Sequence, residues 1–252
     1  MSAIPAVQLE EVSLRYKRND NPALDNVCLS VPQNSICGLL GRNAAGKTTL
    51  LSLIAAYQRP TSGTVKVFNQ DPYENPEIAP QVAFIFQDNN KDSYTNSLKV
   101  FQYLEMGRRL RAQWDDATAD HLLGRFELPE NKTLGKLSQG QRAVVRCIYG
   151  IASHAPLTIF DEAYLGMDAV SRRIFIDELL DSYCKHPRTI LFSTHYVEEM
   201  ERLFSELVII DKARLLVHED ADTLRAQGTS LADLFIKLTT DEAKGLSYET
   251  IA

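Results

Sequence analysis

Gly41-Arg42-Asn43-Ala44-Ala45-Gly46-Lys47-Thr48 is the stretch from which the rest of this chain can be read. Its spacing is G-x-x-x-x-G-K-[ST]. Before it stands a short apolar run, 35–40, bounded by turn signals, which reads as a buried central strand. After it, residues 47–57 have helical content and stop short of Pro60. A loop between such a strand and such a helix gathers backbone N–H groups at a helix N-terminus and makes a concave anion site. Gly46 lets the backbone approach phosphate oxygens with no Cβ in the way. Lys47 can reach β- and γ-phosphates, and the Thr48 hydroxyl suits Mg2+.

Outward from this loop the chain alternates between strand-like and helix-like segments. Residues 7–16, 25–31, 64–68 and 81–86 read as strands, with a turn-rich stretch at 17–22. From about 88 to 153 strand signals vanish, and 98–111, 115–126 and 139–151 read as helices, broken at 129–131 and 135–138. Alternation resumes with strands at 157–160 and 189–193. The helix between them, 170–183, carries Ile176, Leu179, Leu180 and Tyr183 at helical spacing, which predicts one buried face. Two further strands are read at 207–210 and 214–218. The tail from 220 reads as short helices, with 231–238 the more amphipathic. The pattern is that of an α/β protein with a helical insertion.

Composition excludes several classes. The 252 residues suffice for a hydrophobic core without disulfide or metal staples. Hydrophobic residues at 44% and charged residues at 24% are ordinary globular proportions, which sets aside disorder, collagen-like and coiled-coil architectures. A net charge of −6 argues against a protein held to nucleic acid by phosphate neutralisation, so no nucleic-acid partner is expected. No apolar run approaches the roughly 18 residues of a membrane span, and no secretory leader is expected at the N-terminus. Cys28, Cys37, Cys147 and Cys184 match no zinc or C-x-x-C spacing and read as free thiols of a reducing compartment.

Two further motifs carry chemistry. Leu157-Thr-Ile-Phe-Asp161-Glu162 is an apolar strand ending in two carboxylates. Behind a phosphate loop it becomes specific: Asp161 can hold Mg2+ and Glu162, one residue beyond, can polarise an attacking water. Leu137-Ser138-Gln139-Gly140-Gln141 opens a helix, and by itself it is capping chemistry.

The order of these elements resembles the nucleotide-binding subunit of ATP-binding cassette (ABC) transporters. A phosphate loop comes first, then a strand ending in Gln87, a helical stretch ending in LSQGQ, and an apolar strand with Asp-Glu. The likeness covers nearly the whole chain. LSQGQ is similar to the family signature LSGGQ, with Gln139 in place of its first glycine. The resemblance implies an α/β fold: a P-loop NTPase (RecA-like) core with an N-terminal antiparallel β-subdomain and an inserted α-helical subdomain. Residues 1–87 and 154–218 would be core and β-subdomain, 88–153 the helical subdomain, and 219–252 a short helical tail.

The resemblance also implies roles. ATP and Mg2+ would be the cofactors. The loop residues Gly41, Asn43, Ala44, Ala45, Gly46, Lys47, Thr48 and Thr49 would bind the phosphates, and Tyr16 resembles the aromatic residue that stacks on adenine. Thr48, Gln87 and Asp161 would serve the metal. Glu162, His195 and Gln87 would be catalytic, His195 matching the family's switch histidine. Ser138, Gly140 and Gln141, with Asp168 in the Gly166-Met167-Asp168 loop, would meet nucleotide across the interface of a head-to-tail dimer. The other four histidines, His121, His154, His186 and His218, lie in no motif. The implied partners are a second ATPase subunit, the same or different, and a separate integral membrane subunit. The latter would dock at 88–111, with Tyr94, Leu98, Phe101, Tyr103 and Met106 as groove candidates; Arg108, Arg109 and Arg111 beside them read as a solvated helix face. The place of work is the cytoplasmic face of the membrane and the direction export. An importer ATPase, or a soluble relative acting on ribosome or DNA, is the alternative.

Overall fold

A computed structural model describes residues 4–17, 21–87, 94–195 and 197–240. The chain opens with β1 (Val7–Leu14) and β2 (Leu24–Val31), then the central strand β3 (Ile36–Leu40), helix α1 (Lys47–Ile54), β4 (Ser62–Val67) and β5 (Val82–Phe86). Three helices follow in succession: α2 (Val100–Leu110), α3 (Asp116–Arg125) and α4 (Gln139–Ala152). The chain then returns to alternation through β6 (Leu157–Asp161), α5 (Ala169–Lys185), β7 (Thr189–Thr194), the short α6 (Val197–Met200), β8 (Glu206–Asp211) and β9 (Arg214–Asp220). Helices α7 (Ala221–Ala226) and α8 (Leu231–Thr239) close the described chain. Every strand and helix read from the sequence is present, with ends moved by up to three residues. Helix α6, a single turn, has no counterpart in the sequence reading.

Two sheets result. One has three antiparallel strands in the order β2-β1-β4; the other has six in the order β5-β6-β7-β3-β8-β9. In the larger sheet β3 pairs in parallel with β7 and β8, β5 with β6 and β6 with β7, and only β9 runs antiparallel, at the edge. The buried strands have the composition this demands: β3, β6 and β7 are buried at every position.

Strand alternation divides the core between the two faces of that sheet. Ile36, Leu40, Phe160, Ile190, Phe192, Leu207 and Ile209 pack on one side with the helices α4 and α5. Cys37, Leu39, Ile159, Leu191, Val208 and Ile210 face the other, against α1 and the three-stranded sheet. The face of α5 differs from expectation in one respect. Ile176 and Leu179 are buried, but Phe175 and Ser182 share the buried stripe while Leu180 and Tyr183 are only half-buried. Tyr183 instead donates its hydroxyl to the Asn34 carbonyl (2.5 Å), a polar anchor that hydrophobic spacing does not reveal. The four cysteines are unbridged, Cys37 and Cys147 buried with their thiols pushed up by desolvation.

Candidate active site

The carboxyl end of a parallel strand is where side chains and loops converge outside the sheet. Leu40 ends β3, and 41–46 turn directly into α1. Ala44 and Gly46 both take positive φ, 63° and 114°. At Gly46 a Cβ would sit 2.7 Å from the Ala23 carbonyl oxygen, so only glycine fits. Gly46 is also the N-cap of α1, and no side chain caps the helix there. The first N–H groups of α1 are thus left to a ligand, and the helix dipole favours an anion. Thr48 is exposed beside them.

Lys47 is 6% exposed. Its Nζ donates to the carbonyls of Gly41 (2.7 Å) and Arg42 (3.3 Å) and stands 3.4 Å from Glu162 Oε1. The same carboxylate oxygen lies 3.3 Å from His195 Nδ1. Lys47, Glu162 and His195, far apart in sequence, therefore meet at one oxygen. Glu162 has φ 47°, a left-handed conformation unusual for a side chain of this size and a local strain at the end of β6.

Asp161 is buried. Its Oδ1 accepts from Ser193 Oγ (2.5 Å), and Ser193 Oγ in turn accepts from the Glu162 backbone N–H (3.0 Å). Ser193 thus orients both carboxylate-bearing residues from the neighbouring strand, opposite Asp161 in the parallel register. The sequence reading did not single it out. The available signal was a hydroxyl in a strand that is otherwise apolar at its centre. Tyr164 and Thr194 hydrogen-bond through their hydroxyls and tie the loop after β6 to the end of β7.

Two recesses meet here. Tyr16, Asn43, Ala44, Ala45, Gly46, Lys47, Thr48, Thr49 and Glu162 line one of about 540 Å³. Thr48, Gln87, Asp161 and Glu162 line the other, with Phe84 and Phe86. Tyr16 is 42% exposed, its hydroxyl paired with Thr49 Oγ1 (3.3 Å) and Gln58 Nε2 (3.1 Å). Its position at the mouth suits a stacking surface. Neither recess includes Ser138, Gly140, Gln141 or Asp168. Ser138 caps α4: its Oγ accepts from Gln141 N (3.2 Å), and Gln141 Oε1 accepts from Ser138 N (3.1 Å). Asp168 caps α5 through Ser171 N (2.8 Å) and Oγ (2.9 Å), which hold its carboxyl below the usual range. A Cβ on Gly140 would lie 2.6 Å from the Gly166 carbonyl oxygen, so the start of α4 and the Gly166–Asp168 loop pack as one unit.

The residues proposed for partner contact divide. Tyr103 and Met106 line an apolar recess of about 410 Å³ together with Tyr57, Phe84, Phe86 and Tyr149, whereas Tyr94, Leu98 and Phe101 do not. Residues 88–93 lie outside the described residues. Arg108 and Arg109 are exposed, as a solvated face should be, and carry surface ion pairs, Arg108 with Glu105 and Asp116 and Arg109 with Glu105, whereas the half-buried Arg111 donates to Tyr149 Oη and the carbonyls of Ala79 and Pro80.

Comparison with known proteins agrees with this geometry. The family model described as ABC transporter matches residues 24–165, more than half of the chain. The Nod factor export ATP-binding protein I of Cupriavidus metallidurans is 31% identical over 219 residues, 85% of this chain and 70% of that protein. The methionine import ATP-binding protein MetN of Haemophilus ducreyi is 29% identical over 246 residues, 92% of this chain and 71% of that protein. Among solved structures, an ATP-binding subunit of an ABC transporter superposes with TM-score 0.79 at 24% identity, covering 93% of this chain and 100% of the other. A dimeric ATP-binding cassette in a post-hydrolysis state with ADP and Pi gives 0.73 at 19% identity, over 85% and 98%. The phosphate loop and the strand-end acids sit together in the fold, and the family match over residues 24–165 shows that this chain belongs to the ABC transporter family as an ATP-binding, ATP-hydrolysing subunit.

Proposed function

We propose that two such subunits close around two MgATP and that this closure drives a separate membrane subunit, with export as the direction. The observation that carries the site assignment is the contact of Lys47 and His195 with the same oxygen of Glu162. The γ-phosphate of ATP would compete with that carboxylate and with the Gly41 and Arg42 carbonyls for Lys47. Released from Lys47, Glu162 would face the attacking water as its base, with His195 beside the phosphate. Gln87 and Thr48 share a recess with Asp161, an all-oxygen donor set that suits Mg2+. Among the described residues no cluster of three or more His, Cys, Asp or Glu could hold a metal alone. The nucleotide's own phosphates would complete its shell, and the metal when bound would neutralise charge on them.

The dimer reading rests on Ser138, Gly140, Gln141 and Asp168 lying outside both recesses of their own chain. The α4 N-terminus then serves a nucleotide held by a second copy or a related subunit. The γ-phosphate binds both halves where ADP binds one, so hydrolysis biases a closed–open equilibrium. Among the described residues no helix is long and apolar enough to cross a membrane. In this reading the membrane part is a separate polypeptide, which we place on the apolar recess bearing Tyr103 and Met106, at the cytoplasmic face of the membrane. The helical stretch 88–153 would carry that contact. Export draws on the likeness to the Nod factor export protein; import is the second reading, from the likeness to MetN.

Tagged Glu162→Gln protein, captured from detergent-solubilised native membranes with MgATP, is expected to bring down a multi-span membrane protein in stoichiometric amount. Its turnover should fall by about 10² to 10⁴ and it should run as a dimer with ATP. Recovery of ribosomal proteins alone would move the protein to the soluble class. A monomer in MgATP at high concentration would refute the dimer. Cargo moved into inverted vesicles supports export, and cargo moved out supports import.

A further inference from the structure

The end of the large sheet opposite the phosphate loop holds a cluster that the ATPase reading does not use. Arg188 immediately precedes β7 and His154 stands three residues before β6, so both sit at the amino ends of parallel strands. The loop at 41–46 lies at the carboxyl end of β3, roughly 15 Å away along the strands. Arg188 is 3% exposed and His154 8%. Together with His186, Gln33, Asn34 and Gln113 they line a recess of about 360 Å³. The rings of His154 and His186 lie 4.4 Å apart.

The hydrogen bonding of Arg188 is lopsided. Its Nη1 donates to Ser182 Oγ (3.2 Å) and to the His186 carbonyl (3.1 Å). Among the described residues its Nε and Nη2 have no partner, and neither does His154 Nε2. A buried cation with neutral partners on one side and nothing on the other is costly, and such groups are normally paired. The pattern of what is missing is informative. Nε–H and one Nη2–H point in parallel along a single edge of the guanidinium, the edge that grips two oxygens of one oxyanion. Nη1 is held by Ser182 and His186, so the plane is already set. His154 Nε2, in the tautomer that carries its proton there, donates to a third oxygen, one more than a carboxylate offers.

We propose that Arg188, His154 and His186 form a binding site for a phosphate-class oxyanion, either the free ion or a phosphomonoester, distinct from the nucleotide site. Its electrostatics are consistent. Burial, the Arg188 charge and His186 pull His154 down to about 4, against a smaller opposing pull from Asp115. Asp115 does not compensate Arg188 in the recess; its carboxylate is committed to Thr118 Oγ1 (2.6 Å) and Ala117 N (3.0 Å) at the start of α3. An anion beside Arg188 would offset that charge and raise the His154 pKa, a readout that a purely structural arginine would not produce.

The test follows the Arg188 Nε–H and His154 ring signals by NMR in the nucleotide-free full chain. Inorganic phosphate is titrated in, with chloride at matched ionic strength as control. Saturable shifts of both groups, with an upward-shifted His154 titration, are expected. Lys47→Ala should leave them unchanged, because the phosphate loop is a separate site. Arg188→Lys should weaken binding about tenfold or more, since an ammonium keeps charge but loses the fork. If Arg188 variants fail to fold, His186→Ala at the exposed mouth must weaken binding severalfold. Linear shifts matched by chloride, loss of the effect in Lys47→Ala, or unchanged binding in His186→Ala would each overturn the site. Glycerol phosphate run in parallel identifies the source: tighter binding than inorganic phosphate points to an ester, weaker binding to the free ion.

Discussion

At the scale of single residues, the site is governed by two side chains with several possible partners and one backbone position with none to spare. Lys47 holds three oxygen partners at once, two of them carbonyls of its own loop. Removing it leaves those groups and Glu162 without a cation and removes the charge that would meet β- and γ-phosphates. Lys47→Ala is expected to lose most ATP binding, measured by calorimetric titration. Gly46 combines φ 114° with a carbonyl 2.7 Å from where a Cβ would be. Gly46→Ala should therefore destabilise the fold by about 1–3 kcal/mol in thermal unfolding. It should also weaken nucleotide binding, because relief of the clash displaces the loop; unaltered affinity would disconnect that backbone from phosphate binding. The motif showed both residues. Ser193 was harder to see, because its role comes from lying opposite Asp161 across two strands.

At the scale of elements, α4 is the instructive case. Its sequence reads as a capped helix, and the structure contains that cap in full, Ser138 and Gln141 bonding reciprocally. The cap is also the segment that would face a second subunit's nucleotide. The two roles separate experimentally. Ser138→Ala should cost about 1 kcal/mol of stability as a lost N-cap. Nucleotide affinity of the isolated chain should stay unchanged, since Ser138 lines neither recess, while turnover of the assembled complex falls. Unchanged turnover in the complex would reduce Ser138 to a cap. The basic cluster at the end of α2 divides. Arg108 and Arg109 are exposed, as a solvated helix face should be, and pair with Glu105 and Asp116, whereas Arg111 is half-buried and joins the helical stretch to the carbonyls before β5.

At the scale of the whole molecule, the end of the large sheet opposite the phosphate loop carries a pH dependence of its own. His154 is held down to about 4 from an ordinary 6.5 by burial, Arg188 and His186, with Asp115 opposing. Between those values the unfolded chain binds the proton and the folded chain does not, so stability rises with pH across the window. In phosphate-free buffer the thermal midpoint should fall as pH drops from about 6.5 towards 4, beyond what carboxylate protonation produces. His154→Gln should flatten that difference; an identical pH profile would remove His154 as its source.

The sequence by itself determined the strands and helices, the phosphate loop and the strand-end acids, because these depend on local spacing: alternation, helical period, turn glycines and charge at a strand terminus. It could not show that Lys47, Glu162 and His195 share an oxygen, that Ser193 supports both Asp161 and Glu162, or that Arg188 and His154 converge at the far edge. Those meetings are made by parallel pairing of β3, β6 and β7, strands separated by dozens of residues, and only a folded sheet brings their ends together. The same pairing buries Arg188 without a counter-charge among the described residues, a feature that has no local signature because desolvation belongs to the assembled core.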